Sequence, residues 1–120
     1  MKKIIPWIFL FLTGCTSSIQ EIDYKETKKL MEKDAILIDV RSPLEYDQGH
    51  AEGAINIPVQ EIDLVKYAKK TKLIVYCRSG NRSHTAADTL VKLGYKYVYD
   101  LGSKENWEGN IVKDTSQVHS

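Results

Sequence analysis

"KLIVYCRSGNRSH", Lys72–His84, decides how the rest of the chain is read. Lys72–Cys77 is an almost unbroken apolar run, the pattern of a strand covered on both faces. Polar residues and one glycine follow, and a helical pattern over 82–93 ends at Gly94 with Leu90 and Leu93 on one side. A strand running through a tight loop into a helix is half of a parallel crossover unit. In parallel sheets the ligand site lies beyond the carboxyl ends of the strands, where this stretch places Cys77.

The same alternation extends in both directions. Asp23 is placed to cap a helix through "YKETKKLMEK", with Glu26 as a capping-box partner and Leu30 and Met31 facing inward. "AILIDV" (Ala35–Val40) reads as a second buried strand. "SPLE" (Ser42–Glu45) is a capping box with Pro43 at the first helical position. A short strand at Ala54–Pro58, a helix over 60–69 and a strand at Tyr95–Asp100 complete the pattern, and alternation sets Tyr95, Tyr97 and Tyr99 on one face. The expected fold is α/β, a mostly parallel central sheet with helices on both faces. The polar tail from Gly109 is expected to fray.

The amino terminus has its own logic. Lys2 and Lys3 precede an apolar run from Ile4 to Leu12 and then small residues, the order of a secretory leader. The run is too short to span a bilayer. Leu12-Thr13-Gly14-Cys15 resembles the lipobox of bacterial lipoproteins. That resemblance implies cleavage after residue 14, acylation of Cys15 and a firm membrane anchor on the extracytoplasmic side, with 15–21 as a polar tether. The absence of Asp at position 16 favours the outer membrane of a double-membraned cell. Lipidation of Cys15 leaves Cys77 as the free thiol.

Composition excludes some functions. The 120 residues carry a formal charge of +1, so no basic face marks a nucleic-acid protein. Loss of Lys2 and Lys3 takes that charge to about −1. No Cys-x-x-Cys or His-x-x-x-His pair suggests a metal. No metal is expected from these spacings, and the chain is expected to be a monomer.

The chemistry concentrates at Cys77. A cysteine acts as its thiolate, which helix N-termini, inward backbone N–H groups and cations stabilise. Arg78, Ser79, Gly80, Asn81, Arg82 and Ser83 provide these, with Gly80 permitting the bend. The plainer alternative is a buried inert cysteine beside two solvated arginines. Asp39 and Arg41 read as an ion pair supporting the loop, and Glu45 as a cap. His50 reads as a turn residue and His84 as a solvated helix residue.

"CRSGNRS" resembles the active-site loop of rhodanese-type sulfurtransferases. "LIDVRSPLEYDQGHAEGAINIP" (Leu37–Pro58) and "LGSKENW" (Leu101–Trp107) resemble two further segments of that family. Ala51 stands where the family often has Ile, and Ser103 where it often has Gly. The resemblance covers about residues 22–108 and leaves 109–120 as a tail. It implies sulfane-sulfur transfer from an anionic donor such as thiosulfate, through a Cys77 persulfide, to cyanide or a thiol, with no metal or organic cofactor. It implies substrate contacts from the loop residues and structural roles for Asp39, Arg41, Glu45 and His50. Phosphatases and arsenate reductases of similar fold place Arg in a Cys-x5-Arg loop. The spacing here is Cys77-x4-Arg82, with Ser at 83, which weakens that reading. A non-catalytic docking module and a persulfide carrier remain as alternatives.

Overall fold

The computed structural model describes residues 18–114. Cys15 and the leader over 1–14 lie outside the described residues.

Five strands form the main sheet: β1 (Ile19–Glu21), β2 (Ile36–Asp39), β4 (Ile55–Asn56), β5 (Lys72–Cys77) and β6 (Tyr97–Ser103). Their order is β1-β6-β5-β2-β4, and every pairing is parallel. The helices are α1 (Tyr24–Met31), α2 (Pro43–Gln48) and α3 (Asn81–Lys92), with a 3-10 segment at Val59–Leu64. On one face Ala86, Ala87 and Leu90 of α3 pack with Ile62 over Ile38, Val75 and Val98. On the other, Leu30 of α1, Tyr46 of α2 and Trp107 pack over Leu37, Ile74, Tyr76 and Tyr99. Both faces are therefore dry, which is why β2 and β5 read as continuous apolar runs rather than as alternation.

The caps follow their residue types, except that the box expected of Asp23 and Glu26 is half-formed, with the Asp23 bond and no return bond from the Glu26 side chain. The Asp23 carboxylate accepts the Glu26 N–H at 2.9 Å. Ser42 and Glu45 exchange both bonds of a capping box, with Pro43 at the start of α2. Gly94, at φ +99°, closes the turn after α3.

Several elements differ from the sequence expectations. Residues 19–21 are not tether but edge strand β1. The expected helix over 60–69 is the 3-10 segment, and Val65 is already extended. Helix α1 stops at Met31, two residues early. Tyr95 lies outside β6 and packs into the α3-side core, opposite Tyr99, so the three tyrosines do not share a face. Leu93 is exposed at the end of α3 while Leu90 is buried. Beyond Gly109, β7 (Ile111–Val112) pairs antiparallel with β3 (His50–Ala51) instead of fraying.

Candidate active site

Strand β5 delivers Cys77 to the carboxyl end of the sheet with no exposed surface. The chain then turns back on the sulfur. Sγ accepts the Gly80 N–H at 2.9 Å and the Ser83 N–H at 3.2 Å. Gly80 stands at φ +103° and precedes α3 without a side-chain cap, a conformation that costs an L-residue and not a glycine. The sulfur thus sits where a helix N-terminus and a turned loop aim their donors, a setting suited to a negative atom. Ser83 is fully buried, and its Oγ donates to the Gly80 carbonyl at 3.1 Å, fixing the loop's closure.

The rest of the loop faces outward. Arg78, Ser79 and Asn81 are exposed. A β-bulge shifts the β5–β6 register so that Ser103 faces Cys77. From there Ser103 Oγ donates to the Arg78 carbonyl at 2.8 Å.

Arg82 is turned toward a carboxylate rather than the sulfur. Its Nη1 and Nη2 meet Glu45 Oε1 and Oε2 at 2.8 and 3.0 Å, a two-pronged pair joining α3 to α2. The Arg82 bonds, helped by donors from Ser42 and opposed by burial, bring the Glu45 carboxyl down to about 2. Glu45 therefore serves two masters, its own helix cap and the first turn of α3.

Asp39 and Arg41 form a buried network beneath the site. Arg41 Nε lies 2.9 and 3.1 Å from the two Asp39 oxygens, and Nη2 lies 2.6 Å from Oδ2 and 2.7 Å from the Gly49 carbonyl. Tyr76 Oη donates to Asp39 Oδ2 at 2.7 Å and accepts the Ala51 N–H at 3.0 Å. Burial pushes the Tyr76 phenol well up, so it stays a donor. His50 is buried, stacked at 3.6 Å on the Tyr46 ring, and its Nδ1 donates to the Tyr46 carbonyl at 2.8 Å. These four residues tie β2, β5, α2 and β3 together.

Two clefts flank the loop. One, on the Arg78 side, is lined by Arg41, Glu45, Arg78, Lys104, Glu105 and Trp107. The other lies against Ser79, Gly80 and Asn81 and includes Glu21, His84 and Asp100. Lys104 and Asp100 were not singled out from sequence. The signal that could have found them is position: Lys104 follows the end of β6, and Asp100 lies inside β6 opposite Val75 of the neighbouring strand that carries Cys77. Among the described residues no group of three or more His, Cys, Asp or Glu is placed to hold a metal ion.

Comparison with known proteins gives this geometry a context. A family model described as "Rhodanese-like domain" matches residues 23–110. The chain is 38% identical over 96 residues to a putative mitochondrial thiosulfate sulfurtransferase of Schizosaccharomyces pombe, covering 67% of this chain and 68% of that one. It is 32% identical over 98 residues to a tRNA uridine(34) hydroxylase of Buchnera aphidicola, covering 74% of this chain but only 30% of that protein. Among solved structures it is similar to a rhodanese with anions from E. coli, with a TM-score of 0.62 and 35% identity over 66% of this chain and 98% of the other.

Proposed function

Since the chain belongs to the rhodanese-like family, we propose that it is a sulfurtransferase carrying sulfane sulfur as a Cys77 persulfide. The observation that carries this reading is the pair of backbone N–H groups, from Gly80 and Ser83, on the Cys77 sulfur. They hold a sulfur anion without a metal or a general base, and they are positioned before reaction begins. The Cys77 thiolate attacks the outer sulfur of a thiosulfate-like donor. The donor's S–S bond breaks and sulfite leaves with its electron pair. A thiol or cyanide acceptor then takes the outer sulfur and returns the thiolate. Arg78 and Lys104, on one wall of the loop, are the cations placed to meet an anionic donor.

The proposal extends to location. With Cys15 lipidated, the domain hangs from a bacterial membrane on its extracytoplasmic face, as a monomer. Strand β1 starts with Ile19 paired to Val98, near the amino end of β6, while Cys77 ends β5. Val98 in turn pairs with Leu73, four residues and about 13 Å before Cys77. The described chain therefore enters the sheet at the end opposite the sulfur loop.

Intact-protein mass spectrometry after incubation with thiosulfate tests the chemistry. The expected result is a gain of one sulfur atom that disappears in Cys77→Ser. Absence of the gain in the wild-type protein overturns the proposal. Mass measurement of the membrane-extracted protein tests the anchor separately, through the acyl chains on residue 15.

A further inference from the structure

The two walls of the sulfur loop differ in charge. The cleft beside Ser79, Gly80 and Asn81 has a volume of about 950 Å³ and contains the carboxylates of Glu21, Asp23, Glu26 and Asp100. Among the described residues His84 is its one basic side chain, and neither lysine nor arginine lines it. Asp23 is occupied in capping α1. Glu21 and Glu26 are exposed, and the ion pairs of the described residues lie elsewhere.

Asp100 is the telling residue. It lines the cleft while only 6% exposed, and its Oδ1 has no hydrogen-bond partner. Burial pushes its carboxyl up. A desolvated carboxylate with an unfilled acceptor is costly, and a cation with several N–H donors would relieve it. Asp100 is also near the chemistry. In the β5–β6 register it lies opposite Val75, two residues before Cys77.

We propose that this acidic cleft is the acceptor subsite and that it selects a small thiol bearing an ammonium group. The inference rests on the persulfide reading and names its acceptor class. The aminothiol's thiolate attacks the outer sulfur of Cys77–S–SH. A new S–S bond forms, the bond to Sγ breaks and its electron pair returns to Cys77. The proton stays on the transferred sulfur, the product leaves as an aminothiol hydropersulfide, and no external oxidant or reductant is consumed. A dianionic donor is repelled by this wall and approaches from the Arg78–Lys104 side, so each half-reaction has its own entrance.

The test charges Cys77 of the full-length protein with inorganic polysulfide, verified by mass, so that it does not depend on thiosulfate turnover. Sulfur transfer is then followed to cysteamine, mercaptoethanol and mercaptoethanesulfonate. Each thiol's intrinsic reactivity is common to all variants, so the cysteamine-to-mercaptoethanol ratio of kcat/KM isolates the cleft. In Glu21→Gln/Glu26→Gln the ratio should fall roughly three- to tenfold, as two exposed charge contacts allow. Asp100→Asn should lower it further, and mercaptoethanesulfonate should gain relative to mercaptoethanol in both variants. The exposed glutamates keep the test available should Asp100→Asn fold poorly. Ratios unchanged in the glutamate variant overturn the acceptor subsite alone. A charged protein that transfers sulfur to none of the three thiols overturns the sulfurtransferase reading with it.

Discussion

Asp39→Asn separates support from chemistry. Asp39 is fully buried and Arg41 nearly so, and they share three of the short contacts in the network beneath the loop. Asparagine keeps the Oδ1 acceptor for the Arg41 backbone N–H, which sits at 2.9 Å. It replaces Oδ2 with an amide that faces three donors, Arg41 Nη2 at 2.6 Å, Tyr76 Oη at 2.7 Å and Arg41 Nε at 3.1 Å. Arg41 is left charged, buried and unpaired. Breaking one side of a buried ion pair costs about 3–5 kcal/mol. For a domain of this size that corresponds to a fall in Tm of more than about 10 °C. Urea unfolding should show the loss as a lower midpoint with an unchanged slope. Sulfur transfer per folded molecule at low temperature should persist, because the loop's own donors to Cys77 come from Gly80 and Ser83. A variant with wild-type stability and no transfer refutes the reasoning, and would place Asp39 in the chemistry.

Gly80→Ala should destabilise by about 1–2 kcal/mol from backbone conformation alone, since a Cβ there meets no atom within 4 Å. Urea titration reads it, and sulfur loading of Cys77 should fall as the Gly80 N–H leaves Sγ; D-alanine at 80 should restore both. The Glu45 carboxyl falls from 4.5 to about 2 in the folded chain, so its contribution is complete above pH 4.5 and fades as pH drops through about 2. Both partners are partly exposed, which limits that contribution to about 1 kcal/mol; the stability gap between wild type and Glu45→Gln should close with acid and narrow with salt. Tyr95→Phe removes a 3.0 Å bond to the Tyr67 carbonyl. It should cost about 1 kcal/mol in thermal unfolding while sulfur transfer is retained, because Tyr95 lies away from the loop.

What was legible in the sequence is what short-range physics dictates. Strand β5 begins and ends at the residues expected, because two-sided burial leaves an unmistakable apolar run. The Ser42–Glu45 box was visible because both its bonds span three residues. Strand β1 was not, since Ile19–Glu21 holds one apolar residue and its partner strand comes near the other end of the chain. Tyr95 misled through its phase. Its N–H donates to the Leu90 carbonyl at 3.1 Å, so its direction is set by the end of α3 and not by the alternation of β6. At the site, Cys77 and its loop could be read as one contiguous segment. The Glu45–Arg82 pair could not, because each residue had a sufficient local role and they meet only when α2 and α3 fold onto the same end of the sheet.

That pair explains what the spacing of Arg82 does. Arg82 is the second residue of α3 and Ser83 the third. Neighbouring helical positions point about a quarter-turn apart or more. Position 83 faces inward: Ser83 is fully buried, with its N–H on the sulfur and its hydroxyl on the loop. An arginine at 83, as the Cys-x5-Arg loop has it, would project into this space and bring a guanidinium over the anion. At 82 the side chain leaves toward α2 and is held by Glu45. The sulfur keeps backbone donors as its near neighbours, and a serine occupies the place a phosphate-binding arginine requires. Moving the arginine with Arg82→Ser/Ser83→Arg should therefore cost both the strut and the inward packing, reducing stability by about 1–3 kcal/mol and depressing sulfur loading of Cys77. Retention of wild-type stability and loading in that double variant would show that the register of the arginine does not set the character of the loop.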